Sequence, residues 1–225
     1  MTICVIPARG GSKRIPRKNI RPFQGIPMIG WSIAAARNCG LFDRIIVSTD
    51  DAEISGIAVD LGAEVPFARP EDLSNDYAGT VPVVTHAVQT LGLGGDVPVC
   101  CLYATAPFVQ ASDLTEGLRL LRAGSSYVVS VTRFDYPIQR ALRRIDNGAI
   151  SMIDPTQMHM RSQDLEPAWH DAGQFYWGLA STWMSGAAVF DAGAAGVELP
   201  SSRVADIDTP EDWDRAEALF QVLKP

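Results

Sequence analysis

Short apolar runs rich in β-branched residues recur along the first half of the chain, and each is followed by a segment with helical spacing. The runs predict buried strands, and the spaced segments predict helices that cover them. The predicted strands span residues 2–8, 44–50, 64–68 and 97–104, and the predicted helices span residues 27–38, 52–62, 81–91 and 112–122. This alternation predicts an α/β fold, with a mostly parallel sheet and helices on both faces.

Beyond Tyr127 the pattern is less regular. It predicts a strand over residues 127–134, a hairpin over 140–153, a strand over 173–180 and strand-like structure over 203–208. Asn147-Gly148 is typical of a type I′ turn in the hairpin. Thr209 is a good N-cap for a final helix, and Pro210 suits its first position. Because no repeat or linker interrupts the chain, all 225 residues (1–225) are predicted to form one domain.

The composition is that of a folded globular protein, with 47% hydrophobic and 20% charged residues. The formal net charge of −7 disfavours nucleic acid as a partner, because the phosphate backbone repels an acidic protein. Residues 9–21 are the exception, since they contain six basic residues and no acid. An acidic protein with one basic loop is suited to receive a small anion there.

The four cysteines form no CxxC pair, and three lie in apolar stretches, so buried free thiols are expected. Free thiols suit a reducing cytoplasm. No signal peptide is expected, because Pro7 and Arg9 interrupt the first apolar run. No segment approaches the roughly 20 apolar residues of a spanning helix, so no membrane partner is expected. The chain is predicted to be cytoplasmic.

The basic loop, IPARGGSKRIPRKN at residues 6–19, directly follows the first predicted strand. Its Gly10-Gly11 pair allows close approach of the backbone to a ligand and can present N–H groups to an anion. The cations that would surround a triphosphate are Arg9, Lys13, Arg14, Arg17 and Lys18. The loop is neither a Walker A motif nor a GxGxxG fingerprint. The alternative is a solvated basic surface loop, which the glycine pair after a buried strand disfavours.

The basic loop resembles the signature of the sugar-nucleotide cytidylyltransferases, which include the CMP-sialic acid synthetases and their relatives for pseudaminic and legionaminic acids. The resemblance continues, in the family's order, through STDD (48–51), RPEDLSNDYAGT (69–80), TAP (105–107) and DIDTPEDW (206–213). It implies a Rossmann-like fold of the GT-A-like nucleotidyltransferase type with a small β-hairpin excursion. It also implies CTP as the nucleotide donor, Mg²⁺ as the cofactor and a homodimer.

The family's pattern also implies roles for particular residues of this chain. Arg9 and Lys18 would hold the triphosphate and neutralise the α-phosphate, which makes them the predicted catalytic cations. Asn19 and Arg69 would help to recognise cytosine, and Ser74 falls on the family's nucleotide-contacting serine. The other predicted CTP contacts are Ala8, Gly10, Gly11, Ser12 and Lys13.

Asp206 and Asp208 are two residues apart, so in a strand their side chains would share one face. Mg²⁺ is commonly held by one or two carboxylates together with phosphate oxygens of the substrate. The resemblance points to the same pair as the metal ligands and as catalytic residues. The alternative is helix capping, which explains Asp212 and can explain Asp208, but not Asp206 within a strand. Asp50-Asp51 is a weaker candidate, for which N-capping is the alternative.

Two departures from the sialic-acid branch fall where the family binds the sugar. This chain reads LYATAP (102–107) where that branch usually reads LQPTSP, and DAGQFYWG (171–178) where it reads close to NGAIY. Both departures match the pseudaminic-acid branch. The predicted sugar contacts are Tyr103, Gln110, Asp171, Gln174 and Tyr176. Arg161 is a candidate partner for the sugar carboxylate.

The reaction implied by the resemblance is attack by the anomeric hydroxyl of a nine-carbon α-keto sugar on the α-phosphorus of CTP, with release of pyrophosphate. In such a reaction positioning and charge stabilisation dominate, and no residue of this chain stands out as a general base. One alternative is another nonulosonic acid as substrate, either N-acetylneuraminic or legionaminic acid. A second is a non-catalytic nucleotide-binding regulator on the same fold, which the intact Lys18 and Asp206/Asp208 disfavour.

Overall fold

The computed structural model describes residues 1–223. Its strands are β1 (Ile3–Pro7), β2 (Pro22–Phe23), β3 (Ile26–Pro27), β4 (Arg44–Ser48), β5 (Pro98–Leu102), β6 (Tyr127–Arg133), β7 (Leu142–Arg144), β8 (Ile150–Met152), β9 (Trp169–Leu179) and β10 (Ala195–Glu198). Its helices are α1 (Met28–Asn38), α2 (Ala52–Asp60), α3 (Thr80–Thr90), α4 (Ala111–Arg122), α5 (Ala180–Ser185) and α6 (Pro210–Leu223). Within these residues no helix combines the length and the apolar character that crossing a membrane requires.

Six strands form the central sheet, in the order β10-β6-β9-β5-β1-β4. β1 pairs in parallel with β4 and β5, and β6 pairs in parallel with β10. β9 lies between β5 and β6 and is antiparallel to both, so the other five strands share one direction. The prediction of a mostly parallel sheet is confirmed. Because β4 and β5 flank β1 on opposite sides, the strand order reverses there, and such a reversal leaves a crevice beyond the carboxyl ends of the strands.

Helices cover both faces of this sheet, as the sequence predicts. Successive side chains of a strand point to opposite faces, and on β1 Cys4 and Ile6 join one hydrophobic cluster while Ile3 and Val5 join another. The first cluster includes buried side chains of α1, α2 and α4, and the second includes those of α3 and α5. Burial of each large aliphatic side chain stabilises the fold by roughly 1.5–3 kcal/mol.

The predicted hairpin is present as β7 and β8, but its turn is of another type. A type I′ turn needs positive φ at both central residues, and here Gly148 has φ +83° while Asn147 does not share the positive φ. The Gly148 N–H donates to the Ile145 carbonyl at 2.8 Å, and the Ile145 N–H donates to the Ala149 carbonyl at 3.0 Å. This pattern is typical of a three-residue loop that ends in a left-handed glycine.

Two of the predicted strands are wrong. Residues 204–208 follow a short helical turn at Ser201–Arg203 and join no strand ladder. Residues 64–68 make only two isolated parallel bridges to the β4 region. β10 was not predicted, because its residues AGVE lack a run of large apolar side chains.

A third hydrophobic cluster joins the C-terminal part of the chain to the basic loop. It contains Ile15 from the basic loop, Phe23 from β2, Ile207, and Trp213 from α6. The rings of Phe23 and Trp213 meet edge to face with 5.5 Å between centroids. Since Ile207 lies between Asp206 and Asp208, this packing brings the two carboxylates next to the basic loop.

Candidate active site

A cavity of about 1440 Å³ opens beyond the carboxyl ends of β1 and β5. Its walls come from the basic loop, the residues that lead into α3, the ends of β6 and β9 at the same sheet edge, and the segment before α6. We call residues 203–208 the carboxylate segment. The cavity lies at the reversal of the strand order, where ligands of open α/β sheets bind.

Four of the cations at one end of the cavity are already paired with acids. We call this the basic end; its members are Arg9, Ser12, Lys13, Arg14, Lys18, Asn19 and Arg69. Asp76 binds two of these cations, with 2.6 Å from its carboxylate to Arg9 Nη1 and 2.5 Å to Lys13 Nζ. Lys13 and Arg9 lower the pKa of Asp76 below its ordinary value, so the carboxylate stays charged.

Asp208 pairs with two further cations of the basic end. Its carboxylate lies 2.8 Å from Arg14 Nη2 and 3.3 Å from Lys18 Nζ. Lys18 also donates to the Ile207 carbonyl at 2.7 Å, and its side chain is only 19% exposed. Lys18 therefore links the basic loop to the carboxylate segment. It is also the lysine that the sequence predicts to bind the triphosphate.

The carboxylate of Asp208 does not cap α6. Thr209 Oγ1 accepts from the Asp212 N–H at 3.2 Å, and Asp212 accepts from the N–H groups of Thr209 and Asp208 at 2.9 and 3.2 Å. The N-cap prediction for Thr209 is confirmed, and the capping alternative for Asp208 is wrong. Because Asp206 does not lie in a strand, the strand argument that joined the pair is also wrong, yet both carboxylates line the cavity.

The carboxylate pair suits a divalent cation that substrate phosphates would also bind. Partial desolvation and the nearby Asp208 raise the pKa of Asp206, which means that a cation beside it would be stabilising. Within residues 1–223 no cluster of three or more His, Cys, Asp or Glu residues could hold a metal by itself. The donor set therefore fits Mg²⁺, which takes one or two carboxylates and completes its shell with phosphate and water oxygens.

Arg17 was predicted to join the cations around the triphosphate, and the structure corrects this. Its guanidinium pairs with Asp51 and Glu53 at the start of α2, and it does not line the cavity. Asp51 is the N-cap of α2, as its alternative interpretation predicts. Arg17 lowers the pKa of Asp51 to about 2.

The glycine pair lies behind the cavity wall. The Gly10 N–H donates to Asp50 Oδ1 at 3.0 Å, so this N–H is not free for a phosphate. A Cβ on Gly10 would lie 2.6 Å from Asp51 Oδ2, which explains the need for glycine by close packing. A Cβ on Gly11 would meet no atom within 4 Å.

Six of the ten predicted CTP contacts line the cavity: Arg9, Ser12, Lys13, Lys18, Asn19 and Arg69. The other four, Ala8, Gly10, Gly11 and Ser74, do not line it. Ser74 instead donates to the Pro70 carbonyl at 2.9 Å. The structure therefore places the predicted nucleotide contacts in side chains of the basic loop and in Arg69, rather than in the glycine backbone.

Arg69 and Asn19 form the buried part of the basic end. Arg69 Nη2 donates to the Ser48 carbonyl at 2.9 Å, and burial lowers the pKa of Arg69 from its ordinary value. Its buried Nε–H has no partner within the protein. Asn19 Nδ2 donates to the Arg9 carbonyl at 3.0 Å. These fixed polar groups are suited to read the edge of a planar base.

The opposite end of the cavity is lined by hydroxyl groups. We call it the hydroxyl end; its members are Thr80, Tyr103, Asp171 and Tyr176. Thr80 Oγ1 and Tyr103 OH are 2.6 Å apart, and Tyr176 OH donates to Asp171. The two tyrosine rings meet edge to face at 5.6 Å.

Both tyrosines of the hydroxyl end stay neutral. Burial raises the pKa of Tyr103 to about 12, and burial together with Tyr103 raises the pKa of Tyr176 further. Neutral phenols both donate and accept, so the two tyrosines offer oriented hydrogen bonds to a ligand.

Three predicted sugar residues do not line the cavity. Gln110 is the N-cap of α4, where the Asp113 side chain accepts from its N–H at 2.9 Å. Gln174 is 2% exposed and donates to the Arg203 carbonyl at 2.7 Å. Arg161 forms an ion pair with Asp164 at 2.7 Å. Of the predicted sugar contacts, Tyr103, Asp171 and Tyr176 are the ones that line the cavity.

The lining residues that were not predicted from the sequence include Asp76, Thr80 and Arg133. Asp76 and Thr80 both lie in RPEDLSNDYAGT, the segment that carries part of the family resemblance, so the signal for them was present. Arg133 ends β6 and reaches the cavity only because β6 lies beside β9. No local pattern could have indicated it.

Three comparisons with known proteins bear on this site. A family model described as cytidylyltransferase matches residues 3–174. A pseudaminic acid cytidylyltransferase of Campylobacter jejuni is 43% identical over 98% of this chain and 96% of its own length. A CMP-N,N'-diacetyllegionaminic acid synthase of Legionella pneumophila is 31% identical over 98% of this chain and 96% of its own length.

Among solved structures, a CMP:2-keto-3-deoxy-manno-octonic acid synthetase complexed with CTP superposes with a TM-score of 0.72. It covers 99% of both chains at 16% identity, so this likeness shows the fold. The family model ends at residue 174, before the carboxylate segment begins. The family model therefore does not include Asp206 and Asp208, whose place in the cavity is given by the structure.

Proposed function

This chain belongs to the cytidylyltransferase family, and we propose that it transfers CMP from CTP to the anomeric hydroxyl of pseudaminic acid and releases pyrophosphate. The observation that carries the proposal is the joint placement of three groups in one cavity. The basic end lies beside the carboxylate pair, and the hydroxyl end lies across the same cavity. This arrangement provides for a triphosphate, a cation and a polyhydroxylated acceptor in one space.

In this proposal the triphosphate replaces acids as the partner of the basic loop. Arg9 and Lys13 exchange Asp76 for phosphate oxygens, and Lys18 and Arg14 exchange Asp208. Arginine offers a planar fork to phosphate, and lysine acts as a compact charge. Arg69 and Asn19 recognise the cytosine. Lys18 neutralises the α-phosphate, where charge develops during the transfer.

Asp206 and Asp208 would hold a divalent cation, which we propose to be Mg²⁺. When bound, such a cation neutralises phosphate charge and lowers the pKa of a hydroxyl group. Asp208 is released for this role once Lys18 and Arg14 bind phosphate. The described chain places no evident general base beside the pair, so positioning supplies most of the rate.

The hydroxyl end would bind the sugar. Tyr103, Tyr176 and Asp171 present fixed donors and acceptors, and such groups discriminate strongly because a wrong stereoisomer leaves them unpaired. Arg133 lines the cavity and is our candidate for the sugar carboxylate, in place of Arg161. The pseudaminic assignment is supported by the 43% identity to an enzyme named for that sugar, against 31% for the legionaminic one.

We also propose a homodimer in which residues 134–168, here called the arm, contact a second copy of this chain. The arm carries large apolar side chains in contact with solvent, including Tyr136 at 85% and Ile150 at 65% exposure. Its first residues, Phe134 to Tyr136, line the cavity. Light scattering on the eluted protein gives the mass in solution, and a mass near 24.3 kDa would reject the dimer.

The cysteines are consistent with a cytoplasmic enzyme. Four free thiols are present, and Cys4, Cys100 and Cys101 are fully buried. Burial raises the pKa of each of these three thiols, which keeps them protonated and unreactive.

The decisive experiment measures pyrophosphate release from each of the four nucleoside triphosphates, with pseudaminic, N-acetylneuraminic and legionaminic acids as acceptors. We expect release from CTP with pseudaminic acid at a much higher kcat/KM than with the other two sugars. Comparable kcat/KM with another nonulosonic acid would reject pseudaminic acid as the specific substrate and would keep the assignment as a cytidylyltransferase. Binding of CTP without release with any acceptor would favour a non-catalytic regulator.

A further inference from the structure

The carboxylate segment has no strand ladder to hold it. The last sheet hydrogen bond before it is the Leu199 N–H to the Val131 carbonyl at 2.8 Å. The Arg203 and Val204 N–H groups then bond only within their own turn, to the carbonyls of residues 200 and 201. A metal site nevertheless needs its ligands held within about 0.5 Å of the productive geometry. Another set of contacts must therefore position Asp206 and Asp208.

A buried ion pair supplies one such contact. Arg203 Nη1 and Nη2 lie 2.6 and 3.0 Å from the two carboxylate oxygens of Asp113, in a bidentate arrangement. The side chains of Arg203 and Asp113 are 14% and 8% exposed. Arg203 Nη1 also donates to the Phe108 carbonyl at 3.3 Å. The start of the carboxylate segment is thereby fixed to the first turn of α4.

Gln174 fixes the same residue from the sheet side. Its Nε2 donates to the Arg203 carbonyl at 2.7 Å, while its buried Oε1 has no partner in the protein. An unpaired buried carbonyl is destabilising, so an apolar side chain would suit the sheet better. The hydrogen bond to the Arg203 carbonyl explains why an amide side chain occupies this buried position.

We propose that Arg203 is a positioning residue, held by Asp113 and Gln174, that sets the affinity of Asp206 and Asp208 for a divalent cation. The inference rests on the proposed function, since it concerns the metal site of that reaction. A buried ion pair is by itself weak support for fold stability, because desolvation offsets much of the attraction. Partners that orient metal ligands, in contrast, typically change metal affinity by roughly tenfold to a hundredfold when they are removed.

The test measures Mn²⁺ binding by electron paramagnetic resonance, in the full chain with a non-hydrolysable CTP analogue present. Arg203→Met should weaken Mn²⁺ binding by about tenfold to a hundredfold. Arg203→Lys keeps the charge but not the bidentate geometry. Its Mn²⁺ affinity should therefore lie between those of Arg203→Met and the wild type. The Mg²⁺ concentration for half-maximal pyrophosphate release should rise in parallel, while turnover at saturating Mg²⁺ recovers to within about threefold of the wild type.

The matched control is Arg44→Met. It breaks another bidentate arginine–carboxylate pair, with Glu64 at 2.7 and 3.1 Å, outside the cavity. This variant should bind Mn²⁺ as the wild type does. Unchanged Mn²⁺ affinity in Arg203→Met, with only a lower Tm, would overturn the inference and make the ion pair structural.

Gln174→Met keeps the inference testable if Arg203→Met does not fold. The change is close to isosteric and removes the unpaired carbonyl, so folding should survive. We expect weaker Mn²⁺ binding and no selective rise in the KM for the sugar; the opposite pattern would make Gln174 a sugar contact and overturn the inference. A wild type that releases pyrophosphate without any divalent cation would overturn both the metal assignment and this inference. A metal-dependent wild type with unaffected variants would overturn the inference alone.

Discussion

The two ends of the cavity are built on different principles. At the basic end each lining cation that forms an ion pair does so with an acid at the rim, as Arg9 and Lys13 do with Asp76. At the hydroxyl end hydroxyl groups predominate, and they bond to one another or to Asp171, as Thr80 does with Tyr103 and Tyr176 with Asp171. Burial keeps the tyrosines there uncharged, whereas the cations keep Asp76 charged.

This difference teaches how one cavity can serve two ligands. A triphosphate brings enough charge to displace carboxylates from cations, so the ion pairs of the empty basic end do not prevent strong binding. A sugar has little charge to offer, and its stereochemistry is read by hydrogen bonds fixed in advance. Substitutions at the two ends should therefore produce different kinetic signatures.

The largest effect is expected for Lys18→Ala. Removal of a charge from the transferring phosphate should lower turnover about a hundredfold or more, which corresponds to about 3 kcal/mol. Pyrophosphate release under saturating substrates gives the number. The control is Arg17→Gln in the same loop, which lies outside the cavity and should leave turnover unchanged. A change of less than about threefold in Lys18→Ala would remove Lys18 from the transfer step.

Asp208→Asn should come next. EDTA should abolish activity of the wild type, and this variant should need at least about tenfold more Mg²⁺, because asparagine lacks the charge that binds the cation. Its Tm should change little, since Thr209 and Asp212 cap α6. Asp51→Ala is the matched control, because it removes the acidic cap of α2 outside the cavity and should lower the Tm while the Mg²⁺ requirement stays unchanged. The reverse pattern in the two variants would contradict the assignment.

At the hydroxyl end, Tyr103→Phe should raise the KM for the sugar about tenfold, because the removed hydroxyl leaves a polar partner unpaired. The KM for CTP should stay within about twofold of the wild-type value. Steady-state kinetics with each substrate varied in turn separates the two constants. An equal rise in the KM for the sugar and the KM for CTP would contradict the assignment of the two substrates to separate ends of the cavity.

The smallest effect is expected for Asp51→Ala, which removes an acid–cation pair outside the cavity. Loss of the α2 cap and of the Arg17 pair should lower the free energy of unfolding by about 1–2 kcal/mol at pH 7, with the partly exposed ion pair contributing little. Arg17 lowers the pKa of Asp51 from 3.8 to about 2, so its stabilisation is present above pH 3.8 and is lost as the pH falls towards 2. The difference between wild type and variant in urea unfolding should shrink over that range, and catalytic constants at pH 7 should be unaffected.

The basic end could be predicted from the sequence because its signal is local. The glycines and clustered cations of the basic loop follow a buried strand directly and lie within fourteen consecutive residues, 6–19. These residues stay close together in the folded chain. The local pattern could not predict which acid pairs with each cation. Asp76 and Asp208 meet the loop through tertiary structure, and Arg17 turns away because α2 begins beside it.

The hydroxyl end was harder to predict because β9 is irregular. Gln174 and Tyr176 are two residues apart and would share a face in a regular strand. The pairing of β9 with β6 shifts register opposite Val129 to Val131, and Gly173 has φ +61°. This bulge changes the alternation, so Tyr176 reaches the cavity while Gln174 bonds to Arg203. The direction of β9 could not be predicted either, because the alternation of its side chains does not distinguish parallel from antiparallel pairing.

The arm also has a consequence for how such an enzyme can diverge. It leaves the sheet after Arg133 and returns at Trp169, which pair directly, and the Phe134 N–H closes its base on the Ala168 carbonyl at 3.0 Å. Added length in a closed loop costs only about 0.6 kcal/mol per doubling. Insertions, deletions or exchange of the whole segment can therefore accumulate without disturbing strand pairing. Such changes would alter the proposed dimer contact and the part of the cavity wall formed by Phe134 to Tyr136, while the residues of the basic end and the hydroxyl end stay in place.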